Sequence, residues 1–204
     1  MKKFITVIPM QPTDRFNAVH YSAQEGDSLL ANNIETRFPI MIAIRNTTDK
    51  DEKIAVNIVV TDKHEYVAAN KQLFIDELEK AKNEIGFEYE LTEIHTSLEE
   101  NSDKQLALFE GIIASINEND ELYVDVTYGA KPTPMVIMLV LNYAYDLCEN
   151  TDVKAVIYGA MNHAAETTEV YDVTSLFYMN SVIQKLSSIK PADPLEFIRN
   201  VLDA

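Results

Sequence analysis

Short apolar runs rich in β-branched residues recur along the chain, separated by stretches in which apolar positions return every three or four residues. The runs are Phe4–Pro9 (FITVIP), Ile54–Thr61 (IAVNIVVT), Tyr89–His95 (YELTEIH), Glu121–Val126 (ELYVDV) and Lys154–Tyr158 (KAVIY), each the length of a buried strand. In KQLFIDELEKAKNEI, Phe74, Leu78, Ala81 and Ile85 fall on one helical face. In DKQLALFEGIIASI, Leu106, Phe109, Ile113 and Ile116 do the same. Strand and helix alternate, which predicts an α/β fold with a mostly parallel sheet and helices on both faces.

Other segments refine this outline. After ELYVDV comes the turn DVTYGAKPTP and then an almost unbroken apolar run, MVIMLVLNYAY. Thr133 is placed to cap the helix and Pro134 suits its first position, where no N–H is needed. The body, Met135 to Leu147, is apolar on most sides, so it is expected to bury two faces: one on the sheet, the other on a helix or a second subunit. ETRFPIMIAIRN reads as a helix capped by Thr36, with Phe38, Met41, Ile42 and Arg45 on one face. Residues 11–35 are long and polar for a connection after a first strand, a length that is usually functional or disordered. YGAMNHAAETTEVYDVTSLF predicts a C-terminal hairpin: a strand, a turn around His163–Glu166, a second strand at Glu169–Val173, and then a helix over Ser175–Ser188 capped by Thr174. KPADPLEF follows as a proline-marked linker, with a short helical tail at Leu195–Leu202.

Composition narrows the function classes. The 204 residues suffice for one domain with a full core. With 33 acidic against 17 basic side chains the net charge is −16, which opposes any role in coating long DNA or RNA. A small nucleotide is not opposed, because backbone N–H groups and one or two cations in a pocket can hold a few phosphates. The one cysteine, Cys148, cannot form an internal disulfide, and a reducing cytoplasm is expected. KKFITVIPM lacks the length and cleavage site of a signal peptide, and the apolar run from Pro134 to Leu141 is too short to cross a bilayer.

In a parallel α/β sheet, ligands bind beyond the carboxyl ends of the strands. Three turns lie there: Met10, Gln11, Pro12, Thr13 and Asp14 after the first strand; Thr127, Tyr128, Gly129, Ala130, Lys131, Pro132 and Thr133 after the fourth; and Gly159, Ala160, Met161 and Asn162 after the fifth. Gly129 permits a sharp turn and close backbone approach. Thr127 and Tyr128 carry hydroxyls, Tyr128 offers a ring for a base, and Lys131 places a cation beside a helix start. Gly and Thr also occur in strand-to-helix turns that bind nothing. No metal is expected: His20, His64, His95 and His163 share no ligand spacing, and CxxC and HExxH are absent. GxGxxG, GxxxxGK[ST] and GxSxG are absent too, so no cofactor is expected. Glu99, Glu100 and Asp103 read as a solvated, dipole-favoured helix start.

Asp125-Val126-Thr127-Tyr128-Gly129, followed by Lys131 and Pro134-Met135, resembles the D-x-T-H-G…R…P-M signature of the CRISPR-associated Rossmann-fold (CARF) sensors. Glu35-Thr36-Arg37-Phe38 resembles the E-T-R-F segment of the same branch. Tyr158-Gly159-Ala160 resembles its "YGA" strand end, and Val170-Tyr171-Asp172-Val173-Thr174 its "YDLT"-like hairpin. Order and spacing agree over residues 1–188, which the resemblance marks as a Rossmann-like sensing domain, with 189–204 a linker or tail toward an effector domain. Two positions depart. Tyr128 stands for the family histidine and cannot shuttle protons at neutral pH. Lys131 stands for the arginine and lacks its bidentate fork.

The resemblance implies a receptor for cyclic tetra- or hexa-adenylate, the messengers of type III CRISPR antiviral defence. It implies a homodimer with the ring across its two-fold axis, allosterically controlling an effector. Arg37 and Asp125 join the three turns as implied ligand-binding residues. The alternative is a slow, metal-independent ring nuclease, in which the ligand's own 2′-hydroxyl attacks and Lys131 with Thr13 or Thr127 assists. A third possibility is an unrelated nucleotide-binding regulator.

Overall fold

The computed structural model describes residues 1–99, 101–162, 167–189 and 191–202. In chain order the elements begin with β1 (Lys2–Val7), a 3-10 turn at Thr13–Arg15, and the short strands β2 (Val19–His20), β3 (Ser22–Ala23) and β4 (Glu35–Thr36). Next come α1 (Ile40–Thr47), β5 (Lys53–Thr61), α2 (Val67–Ile85), β6 (Glu88–Thr96) and α3 (Ser102–Ile113). The chain continues through β7 (Glu121–Asp125), α4 (Thr133–Leu147), β8 (Asp152–Asn162), β9 (Thr167–Asp172), α5 (Thr174–Ile189) and α6 (Pro194–Leu202).

Seven strands form one sheet in the order β3-β9-β8-β7-β1-β5-β6. Every neighbouring pair is parallel except β8 with β9. The fold is therefore α/β and Rossmann-like, mostly parallel, with the order reversing between β1 and β7. The long apolar runs follow from this topology. Every residue of β5 after Lys53 is buried, because helices cover both faces of a central parallel strand. Phe4, Ile8, Tyr123 and Ile157 pack with α1 and α2 on one face. Ile5, Val7, Val124 and Val156 pack with α3, α4 and Phe177 of α5 on the other.

Four sequence expectations are corrected. In α3 the buried residues are Leu108 and Ile112, while Leu106 is 56% exposed. Gly111 lies on the buried face close to β6, where an added Cβ would stand 3.0 Å from Ile94 Cγ2. Thr133 does not cap α4; Pro132 holds that position, no side chain caps it, and Thr133 is the first helical residue. Thr36 does not cap α1 either. It lies in β4, paired with β2, and its hydroxyl accepts from Phe38 N–H at 3.0 Å and donates to Glu77 Oε2 at 2.5 Å. Thr174 begins α5 rather than preceding it; its Oγ accepts the Val156 N–H at 2.7 Å, and Asp172 accepts the Thr174 N–H at 2.8 Å.

Residues 11–36 are packed, not loose. Phe16, Tyr21 and Leu30 enter the core, and β3 extends the sheet beyond β9. This insertion covers the strand ends on the α1 side. The predicted turn at 163–166 and Glu100 lie outside the described residues. Among the described residues no helix is long and apolar enough to cross a membrane.

Candidate functional site

The β1–β7 reversal places two loops side by side at the carboxyl edge of the sheet, and β8 adds its end to them. The arrangement is held by Asp125, the last residue of β7. Its carboxylate is fully buried and accepts three bonds: Oδ1 from the Thr127 N–H at 2.8 Å, Oδ2 from the Thr6 hydroxyl at 3.2 Å and from the Ile40 N–H at 3.3 Å. One side chain thus ties together β1, the motif loop and the first turn of α1. Burial raises the Asp125 pKa, opposed by these hydrogen bonds. Asp125 therefore braces the site from beneath, fully buried and bonded to protein groups on three sides.

Thr127 joins the motif loop to the β8 end, its Oγ accepting the Gly159 N–H at 2.8 Å. The Tyr128 hydroxyl donates to the Arg37 carbonyl at 2.7 Å, and its ring meets Phe16 edge-on at 5.7 Å between centroids. Burial raises the Tyr128 pKa well above the ordinary phenol value, so the hydroxyl stays protonated and acts as a donor. Gly129 has φ +110°, a left-handed conformation, and a Cβ there would press on Thr133 at 3.1 Å. Gly159 is required for a different reason. The space above it is filled by protein: an added Cβ would stand 2.5 Å from Pro39 Cγ and 3.1 Å from Tyr21 Cε1.

These elements enclose a cleft of about 560 Å³, lined by Gln11, Pro12, Arg15, Phe16, Asn17, Val19, Tyr21, Thr127, Tyr128, Gly159, Ala160 and Met161. The volume suits a nucleotide-sized ligand. Seven of these residues belong to the expected set, and the structure brings them together from all three turns. Arg15, Phe16, Asn17, Val19 and Tyr21 were missed; the one sequence signal for them was the unusual length of the segment that carries them.

The remaining expected residues lie elsewhere. Met10, Ala130 and Pro132 border a separate small pocket with Val7, Thr61, Ser97 and Lys104. The Thr13 hydroxyl donates to Asn70 Oδ1 at 2.9 Å, and the buried Asn70 amide donates to the Pro9 and Gln11 carbonyls, each at 2.9 Å. Thr13 is thus a fastening of the first loop, not a free hydroxyl. Arg37 lies outside the cleft lining, its Nε on the Phe16 carbonyl at 2.8 Å and its guanidinium 3.0 Å from Glu77. Asp14 and Lys131 are exposed outside the cleft lining, and Asn162 ends β8 with only its backbone described. Among the described residues no group of His, Cys, Asp and Glu is arranged to hold a metal ion. Compared with models of protein families and with curated proteins, the sequence matches none.

Proposed function

We propose that this chain is a CARF-type sensor domain that binds a cyclic oligoadenylate as a homodimer and passes the binding event to an effector. The observation that carries the reading is the cleft at the sheet reversal. It joins two of the segments that resemble the family, Thr127-Tyr128 and Gly159-Ala160, where α/β sheets take nucleotides. A third, Glu35 to Phe38, supports it from behind through the Arg37 carbonyl.

The dimer has support of its own. Met135, Leu139, Tyr143 and Leu147 recur at intervals of four along α4 and are exposed, with Met135 and Leu147 each at 70%. This stripe begins at the motif loop. A two-fold axis along it sets the loops of two chains beside each other and offers a two-fold-symmetric ring the same groups twice. Binding is favoured over cleavage, because the Thr13 and Thr127 hydroxyls already hold protein partners. Control of an effector then depends on how differently the ring binds two arrangements of the dimer.

Calorimetric titration with cyclic tetra- and hexa-adenylate tests the reading, and heat with at least one ring at micromolar protein is expected. Leu139→Glu places a charge in the stripe. It is expected to yield monomers and to weaken ring binding by at least about tenfold, some 1.4 kcal/mol. Absence of heat with both rings rejects the function; a dimer unaffected by Leu139→Glu rejects the α4 interface.

A further inference from the structure

We infer that Arg15, carried by the insertion after β1, is the phosphate-binding cation of the cleft, so that each protomer holds a complete subsite for one nucleotide. The inference rests on the reading of the cleft as a nucleotide site and moves the cation from the position the resemblance implies, Lys131. Lys131 is exposed and outside the lining, whereas Arg15 is the one arginine or lysine within it.

Its surroundings set it apart from Arg37, which lies outside the cleft lining. Arg37 is held by Glu77 at 3.0 Å. Arg15 makes no ion pair with any described residue, although acidic side chains outnumber basic ones 33 to 17. The turn that carries it is rigidly fastened. The Arg15 N–H donates to the Pro12 carbonyl at 3.0 Å, and the fully buried Asn70 grips Pro9, Gln11 and Thr13 on the same loop. A fastened backbone with a free guanidinium suits anion capture, because little order has to be gained on binding. The planar fork matches two phosphate oxygens in a way an ammonium does not.

The rest of the lining complements a base and a ribose. Phe16, Tyr21 and Tyr128 form an aromatic wall. The side chains of Gln11 and Asn17 make no hydrogen bond with any described residue, and such amides both donate and accept, as the edge of adenine requires. The insertion therefore supplies the cation, both amides and two of the three rings.

Adenosine 5′-monophosphate and adenosine are the probes, titrated into wild type, Arg15→Ala, Arg15→Lys and Lys80→Ala and followed by ligand-observed NMR. Arg15 is exposed on a surface turn, so its replacement leaves the fold intact; Lys80→Ala removes the same charge from α2, away from the cleft. Arg15→Ala is expected to weaken the monophosphate by at least about tenfold and adenosine hardly at all, with Arg15→Lys between and Lys80→Ala within about twofold of wild type. Equal monophosphate affinity in Arg15→Ala, equal losses for both probes, or no saturable monophosphate binding to wild type overturns the inference. Failure of the cyclic ligands is a separate result. Monophosphate binding that needs Arg15, with neither ring bound, keeps the subsite and removes the ring. Ring binding indifferent to Arg15 does the reverse.

Discussion

Asp125→Ala is expected to lower the unfolding free energy by about 3–5 kcal/mol, because it leaves three donors without an acceptor around a buried position. Those donors are the Thr6 hydroxyl and the Ile40 and Thr127 N–H groups, and the residue itself is fully buried. For a chain of this size about 2–4 °C of melting temperature accompanies each kcal/mol, so melting is expected at least about 6 °C lower. Urea denaturation and calorimetry measure both; a loss below about 1 kcal/mol contradicts the bracing role. The same residue gives a pH signature. Its folded pKa is raised above the ordinary value of 3.8 by burial. Between the ordinary and raised values the folded chain keeps a proton that the unfolded chain has released. This contribution to stability is thus full below the ordinary value and is lost as pH rises through the raised one. Asp125→Asn is expected to lack that slope, which urea midpoints across acidic pH will show.

Gly159→Ala is the second large effect. The new methyl would lie 2.5 Å from Pro39 Cγ, 3.1 Å from Tyr21 Cε1 and 3.3 Å from Thr127 Cγ2. Pro39 is buried at the start of α1 and has no flexible end to move. The overpacking is expected to cost about 1–3 kcal/mol, measured by urea denaturation. The strain falls on Tyr21 and Thr127, which line the cleft, so a drop in ring affinity is expected beside the stability loss. Unchanged stability would mean that the β8 end and α1 are not in this contact.

The sequence made the strands legible because a parallel strand covered on both faces must be apolar throughout, and β5 is. It showed where the motif loop, the first loop and the β8 end lie, because each follows such a run. Lateral order is another matter. That β7 pairs with β1, and β3 with β9, depends on contacts remote in sequence, and the two residues of β3 sit in a polar segment with no strand pattern. Side-chain direction was also hidden. Thr13 belongs to a loop that was correctly placed, and Arg37 to a segment read as helix that instead lies between β4 and α1; Asn70 and Glu77, both on α2, draw them into internal bonds. Leu106 and Leu108 are equally apolar, and which of them faces β6 depends on how α3 docks, a contact remote in sequence.

The central claim is that two chains present their strand-end clefts to one cyclic ligand. Sedimentation velocity of the protein with sub-saturating cyclic tetra- or hexa-adenylate, followed at both protein and nucleotide absorbance, tests it most directly. The account predicts that the nucleotide sediments with a species of twice the 23.1 kDa chain mass, saturating at one ring for every two chains. Nucleotide that stays at the meniscus with both rings, or that travels with single chains at one ring each, would contradict it.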